Sequence, residues 1–148
     1  MLRHTRRALA TKVIIPRHRD AIHLRKANTL ADASCVASRG GTVVHASVSW
    51  RWASGEDALY FTGGGAPLHV DFRHPSSAAG LPPTTASGRE NVRASDQEIL
   101  AARNIDRALR PRFHGDGFLE TVRVDVEVAS SDGDGDVITL GANAASCA

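Results

Sequence analysis

Residues 94–113 read Ala-Ser-Asp-Gln-Glu-Ile-Leu-Ala-Ala-Arg-Asn-Ile-Asp-Arg-Ala-Leu-Arg-Pro-Arg-Phe. Ser95 and Glu98 have the spacing of a capping box, in which each side chain satisfies an orphan backbone donor at a helix start. Asp96 and Glu98 add negative charge to the first turn, where the helix dipole favours it. Ile99, Leu100, Ala102, Ile105, Ala108 and Leu109 recur at helical spacing and predict an apolar face. Pro111 predicts a stop at or near Arg110. Arg103, Arg107 and Arg110 follow one another at four and then three residues, so they are expected to share a cationic face.

Upstream of this helix the pattern changes period. Residues 42–52 alternate, with Val44, Ala46, Val48, Trp50 and Trp52 on one face and His45, Ser47, Ser49 and Arg51 on the other. Leu68, Val70 and Phe72 repeat the alternation. Residues 13–15, 21–24 and 34–38 are weaker strand candidates, and Gly40-Gly41 reads as a turn. Downstream, residues 118–129 are the longest clear strand, with Val122, Val124, Val126 and Val128 on one side. Residues 73–93, rich in Ser, Ala, Gly, Pro and Thr, predict a mobile loop. Residues 130–136 form an acidic glycine turn, and residues 139–148 open a helix of small residues. Strands that are wet on one face, followed by a helix, predict an α+β fold with an antiparallel or mixed sheet rather than a doubly wound one.

Composition narrows the class. At 148 residues the chain is one domain or part of one. No apolar run reaches the length that spans a bilayer, so no membrane span is expected. Arg3, Arg6, Arg7, Lys12, Arg17 and Arg19 all precede the first acidic residue, Asp20. That composition suits an organelle transit segment over residues 1–20, with the folded part in residues 21–148. Cys35 and Cys147 lack metal-type spacing and read as buried or free thiols in a reducing compartment.

Most candidate sites read better as structure. Gly63-Gly64-Gly65 lacks the lysine and helix start of a phosphate loop. Asp132-Gly133-Asp134-Gly135-Asp136 resembles half a calcium loop, but Val137 stands where the sharp-turn glycine belongs and Asn143 where the bidentate glutamate belongs. A solvated acidic turn is the expectation. The seven histidines show no ligand spacing, and no serine has a nucleophile-elbow context. No catalytic set and no metal site are therefore expected. The arginines stand apart. Arg89 and Arg93 feed the helix that carries Arg103, Arg107 and Arg110, and guanidinium groups in a row can bind successive phosphates. The alternative is a solvated face with ion pairs, such as Asp106 with Arg103 or Arg110.

The strings Val70-Asp71-Phe72, Ala78-Ala79-Gly80, Ser95-Asp96-x-Glu98-Ile99-Leu100 and Ala102-Arg103-x-Ile105-Asp106-Arg107-x-Leu109-Arg110-Pro111-x-Phe113 resemble the first ribonuclease PH-like domain of the polyribonucleotide nucleotidyltransferase family. Leu30-Ala31-Asp32, residues 40–44, Gly117-Phe118, residues 132–136 and Asn143-Ala144-Ala145-Ser146 extend the similarity over about residues 22–148. The resemblance implies a 3′-to-5′ exoribonuclease that consumes inorganic phosphate, uses a divalent metal (Mg) and threads single-stranded RNA through a trimeric ring. It also implies that a second domain carries the chemistry, while the first supplies ring structure and RNA contacts.

Departures from the family sharpen this. Consecutive serines hold phosphate in the catalytic second domain, where this chain has Asp136, Val137 and Ile138. A carboxylate repels phosphate and two aliphatic side chains offer it no donor. The family's Phe-Phe-Arg-Arg stretch corresponds to Ala86-Ser87-Gly88-Arg89, which leaves an arginine without an aromatic platform. Thr29 replaces the arginine that usually opens its segment. The family's domain continues past the length seen here, so the chain is expected to be the N-terminal portion of a larger one or to need a completing polypeptide. The expectation is thus a mitochondrial N-terminal part of a phosphorolytic exoribonuclease. Its predicted RNA-contact residues are Arg89, Arg93, Arg103, Arg107 and Arg110, and it is inactive alone, with neither phosphate nor metal site of its own. A non-catalytic RNA-binding or structural subunit is the competing reading, and a degenerate product that does not fold is a third.

Overall fold

The computed structural model describes residues 21–27, 30–52, 68–82, 93–113, 120–133 and 136–148. Several expectations lie outside these residues: the basic segment 1–20 with the strand candidate at 13–15, Thr29, the Gly63–Gly65 stretch, Arg89, Gly117-Phe118, and Asp134 with Gly135.

Five strands form one sheet: β1 (His23–Lys26), β2 (Ala33–Arg39), β3 (Thr42–Trp52), β4 (Leu68–Arg73) and β5 (Glu120–Ser130). Their spatial order is β1-β2-β3-β5-β4. The first three pairings are antiparallel and β4 runs parallel to β5, so the sheet is mixed. A parallel neighbour needs a crossover, and helix α1 (Asp96–Leu109) lies on that connection. A second helix, α2 (Val137–Cys147), follows β5. Two 3₁₀ turns complete the described elements, at Ser76–Ala79 and Arg110–Phe113.

The alternation in β3 and β5 is set by the pleat, which sends successive side chains to opposite faces. Both helices pack on one face. The strand registers align its residues in rows: Leu24, Ala37, Val44 and Val128; Cys35, Ala46, Val126 and Phe72; Ala33, Val48, Val124 and Val70; and Trp50, Val122 and Leu68. Val44, Ala46, Val126 and Val128 are essentially inaccessible to water. The opposite face is polar, with Ser47, Asp125 and Asp71 in one row and Ser49, Arg123 and His69 in the next. Arg123 ties two strands there by pairing with Asp125 (2.9 Å) and Asp71 (3.0 Å).

Two turns are fixed by specific contacts. Gly40 supplies the positive φ (58°) of the tight β2–β3 turn. The Gly41 N–H and the Thr42 hydroxyl then donate to the two carboxylate oxygens of Asp132, at 2.8 and 2.6 Å. Asp132 therefore differs from the expected solvated turn residue: it bolts the β5–α2 connection to the β2–β3 hairpin. Gly141 lets α2 approach the sheet closely. A Cβ there would stand 3.0 Å from Val126 Cγ1 and 3.4 Å from Ile105 Cδ1.

Three further expectations change. The stretch after β4 is not featureless, since Ser76–Ala79 forms a 3₁₀ turn whose Ala78 carbonyl accepts the Ser131 N–H at 2.8 Å. Helix α2 starts at Val137, two residues before the predicted opening, because Asp136 caps it through Ile138 and Thr139. Trp50 and Trp52 lie on the core side of β3 but are 48 % and 66 % exposed, because the helix layer stops short of them. Both thiols are free. Cys35 is buried, and that burial, with the nearby Cys147 as a second cause, pushes its pKa up, whereas Cys147 is exposed.

Candidate nucleic-acid interface

Helix α1 begins as its sequence dictates. The Ser95 hydroxyl accepts the Glu98 N–H, and the Glu98 carboxylate accepts the Ser95 N–H at 2.6 Å. Glu98 has another task that its spacing does not reveal: its second oxygen accepts the His74 N–H at 2.8 Å, which fastens the helix start to the end of β4. Partial burial of this carboxyl pushes its pKa up, but the donors from His74 and Ser95 and the Arg73 charge outweigh that, and the net shift is downward.

The buried stripe is Ala101, Ile105 and Leu109, at intervals of four residues. Ile99 and Leu100 were expected on it, but they are 41 % and 58 % exposed. Ala108 is exposed as well, and Ala102 is half-buried. Each residue turns the helix by about 100°, which places Ile99 and Leu100 far from Ile105 and on either side of the arginines. The outer face of α1 is thus interleaved, with two apolar side chains flanking Arg103 and Arg107.

The predicted RNA-contact residues fall into three groups. Arg103 and Arg107 are exposed on this outer face. Arg93 is exposed two residues before the N-cap. Arg110 is half-buried and engaged: its Nε and Nη2 donate to the two oxygens of Asp106 at 2.9 and 2.6 Å, and Nη2 also reaches the Leu68 carbonyl at 3.2 Å. That bidentate pair fixes the end of α1 to the start of β4. Of the two ion-pair partners open to Asp106, Arg110 is the one it takes. The Arg110 N–H makes the last α-helical bond, to the Asp106 carbonyl, Pro111 has no N–H to continue the series, and the chain goes on as a 3₁₀ turn through Phe113. Arg112 on that turn was not singled out by sequence. It lines a cavity of 360 Å³ with Trp50, Phe113 and Glu120 at the end of the sheet.

The α2 N-terminus is the position where the resemblance places phosphate-binding serines. Here Asp136 accepts the Ile138 and Thr139 N–H groups and the Thr139 hydroxyl. The Thr139 hydroxyl is the main cause that holds its carboxyl below the usual range, so it is ionised near neutral pH. A negative charge thus occupies the donors a phosphate would use. Asp132 and Asp136 spend their oxygens on backbone and hydroxyl donors, and among the described residues no three His, Cys, Asp or Glu side chains converge as ligands. No described helix is long and apolar enough to cross a membrane.

Comparison with known proteins agrees with this architecture. The RNase PH family model, described as the 3′ exoribonuclease family, domain 1, matches residues 21–148. The polyribonucleotide nucleotidyltransferase of Chlorobium limicola is 44 % identical over 119 residues, and that of Chlorobaculum tepidum is 41 % identical over 119 residues. Each match covers 80 % of this chain and 15 % of the relative, so the chain matches a small part of these longer proteins. Among solved structures, a chain of the Archaeoglobus fulgidus exosome with RNA bound to the active site superposes with a TM-score of 0.62 at 20 % identity, over 93 % of this chain and 55 % of that one. Rice Rrp46 gives a TM-score of 0.57 at 18 % identity, over 88 % and 56 %. The sheet order, the two helices on one face and the matched residues 21–148 make this chain a member of the RNase PH, or 3′ exoribonuclease, family.

Proposed function

We propose that this chain serves as the N-terminal part of a phosphate-dependent 3′-to-5′ exoribonuclease, holding single-stranded RNA and building the ring rather than cleaving the phosphodiester. The observation that carries the RNA contact is the pair Arg103 and Arg107. Both guanidinium groups stand on the outer face of α1, while Arg110 beside them is held by Asp106. Arg93, and Arg89 by its sequence position, extend this cationic tract. Arg110 acts through Asp106 and Leu68 to hold α1 in place.

Phosphorolysis needs a site for inorganic phosphate, and the Asp136 carboxylate at the α2 N-terminus opposes one. The reading is therefore that phosphate and Mg are used elsewhere in the assembly and that this polypeptide is inactive by itself. A homotrimer or a completing polypeptide would supply the rest. Mitochondrial targeting by the acid-free basic stretch before Asp20 belongs to the same proposal.

Retention of single-stranded RNA on filters across a salt series tests the contact. Arg103→Ala and Arg107→Ala should each weaken binding and each lower the salt slope by about 1. Unchanged slopes in both variants would remove these arginines from the interface. Phosphate-dependent release of nucleoside diphosphates by the wild-type chain would overturn the non-catalytic role. A second reading, a structural subunit that docks through α1, draws on the exposed Ile99 and Leu100. It predicts no RNA retention even at low salt.

A further inference from the structure

We propose that Cys35 and Cys147 form a redox pair, joined by oxidation into a disulfide that pins the end of α2 to β2. Both thiols are free, one buried and one exposed. Cys35 lies on the helix-bearing face of the sheet, in the row with Ala46, Val126 and Phe72. Helix α2 packs across β2 and β3 on that face. The Asp132 contacts hold the start of the β5–α2 connection at the β2–β3 turn, and from there α2 runs back along β2. Val137 to Cys147 spans about 15 Å at a helical rise of about 1.5 Å per residue. Arg39 to Cys35 spans about 13 Å of strand at about 3.3 Å per residue. The two cysteines therefore come to the same level of the fold. Cys147 also follows Leu140 and Ala144 along the stripe that α2 buries against the sheet. Its neighbours Ser146 and Ala148 line the cavity on the β3–β5 side, and Cys147 is not among the lining residues. Ala37 and Ala46 below and Gly141 and Ala144 above are small, so helix and sheet lie close.

The two environments divide the chemistry. Exposed Cys147 is the thiol that a peroxide meets. Its thiolate attacks the O–O bond, which breaks; one oxygen stays on sulfur as a sulfenic acid and the other leaves as water. Burial, with the neighbouring Cys147 as the second cause, pushes the Cys35 pKa up, so this thiol stays protonated and sheltered from the oxidant. Cys35 then gives up its proton, its sulfur attacks the Cys147 sulfur, the S–O bond breaks and a second water leaves. Two thiols are oxidised to one disulfide and one peroxide is reduced to two waters. A bridge settles the Cα atoms at about 5.5–6 Å, and the last turn of a helix frays readily enough for Cys147 to adopt that spacing. Exchange with a small thiol reverses the step. The cross-link closes most of the chain into one loop, which restricts the unfolded state and holds α2 on the sheet.

Hydrogen peroxide, added at equal concentration to the reduced chain, tests the pair. Trypsin cleavage after Lys26, Arg39 and Arg123 leaves Cys35 on the peptide 27–39 and Cys147 on the peptide 124–148. The expected product is a monomer lighter by two hydrogen atoms, with these two peptides linked until dithiothreitol separates them. The oxidised chain should unfold at a higher temperature than the reduced one, and Cys147→Ser should abolish both the link and the rise. Cys35→Ala, checked for a cooperative thermal transition, should leave Cys147 oxidised without a link. A rise in unfolding temperature that survives in Cys35→Ala shows that the bridge is not its cause and overturns the pinning. A disulfide-linked dimer through Cys147, or Cys147 driven to sulfinic acid beside a reduced Cys35, overturns the pair. So does a link that forms only in urea, since it would arise from the unfolded chain.

Discussion

The two ends of the β3–β5 ladder carry the same alternating pattern and meet different fates. At one end Val44 faces Val128, and both are sealed beneath the helix layer. At the other, Trp50 faces Val122 and Trp52 faces Glu120, and the indoles reach water. Periodicity states which side of a strand is apolar. How far along the strand that side is covered depends on where the helices lie, and that is a tertiary property. The covered end also gathers the polar fastenings: Glu98 to His74, Asp132 to Gly41 and Thr42, and Asp136 at the start of α2. The open end has the Arg110–Asp106 pair, the cavity and the rings.

If this contrast is right, mutations at the covered end should dominate stability. Ile105→Ala should have the largest effect, a loss of about 2–5 kcal/mol by urea denaturation, because Ile105 is fully buried between α1 and the sheet. Gly141→Ala should follow. Alanine gains about 0.5–1 kcal/mol of helix propensity, but its Cβ meets Val126 Cγ1 at 3.0 Å. Overpacking of about 1–3 kcal/mol outweighs the gain, so the midpoint should fall. A rise would mean that α2 sits more loosely than described. Ser95→Ala removes the cap of α1 and should cost about 1 kcal/mol in the same assay.

Acid should act on the same end. Glu98 and Asp136 both have lowered pKa values in the folded state, so their contribution is fully present above the unfolded carboxylate pKa and fades as pH falls through the folded one. Stability should hold from neutral pH to about 4.5 and decline below it, and Glu98→Gln should flatten the upper part of that decline. The smallest effect is expected at the open end. Trp52→Leu should shift stability by no more than about 0.5 kcal/mol, although it faces the core side. A loss several times larger would show that the rings are part of the core and would erase the contrast.

Much of this architecture is legible in the residues. The capping box, the valine ladder of β5 and the alternation of β3 reappear where the local physics puts them, since each depends only on neighbours in the chain. The rest depends on partners far away. The parallel pairing of β4 with β5 has no mark in the β4 sequence. Ile99 and Leu100 fit a helical spacing, yet the stripe that touches the sheet is Ala101, Ile105 and Leu109. Size alone favours Ile99 and Leu100 as core, while the actual contact takes the small Ala101 where helix and sheet come close. Among the arginines, sequence shows the row, and only geometry separates Arg110, claimed by Asp106, from Arg103 and Arg107.

The Asp132 contact bears on the order in which the chain assembles. Asp132 lies about ninety positions from the hairpin that it holds, so its carboxylate finds Gly41 and Thr42 only after β5 has paired beside β3. The ladder has a register shift at Val43 and Val44, next to this contact. A strand displaced by one residue would send its valines to the polar face and carry Asp132 away from its donors. The contact can therefore act as a latch that closes on the correct alignment alone. A latch formed after the rate-limiting step would slow unfolding and leave the folding rate unchanged.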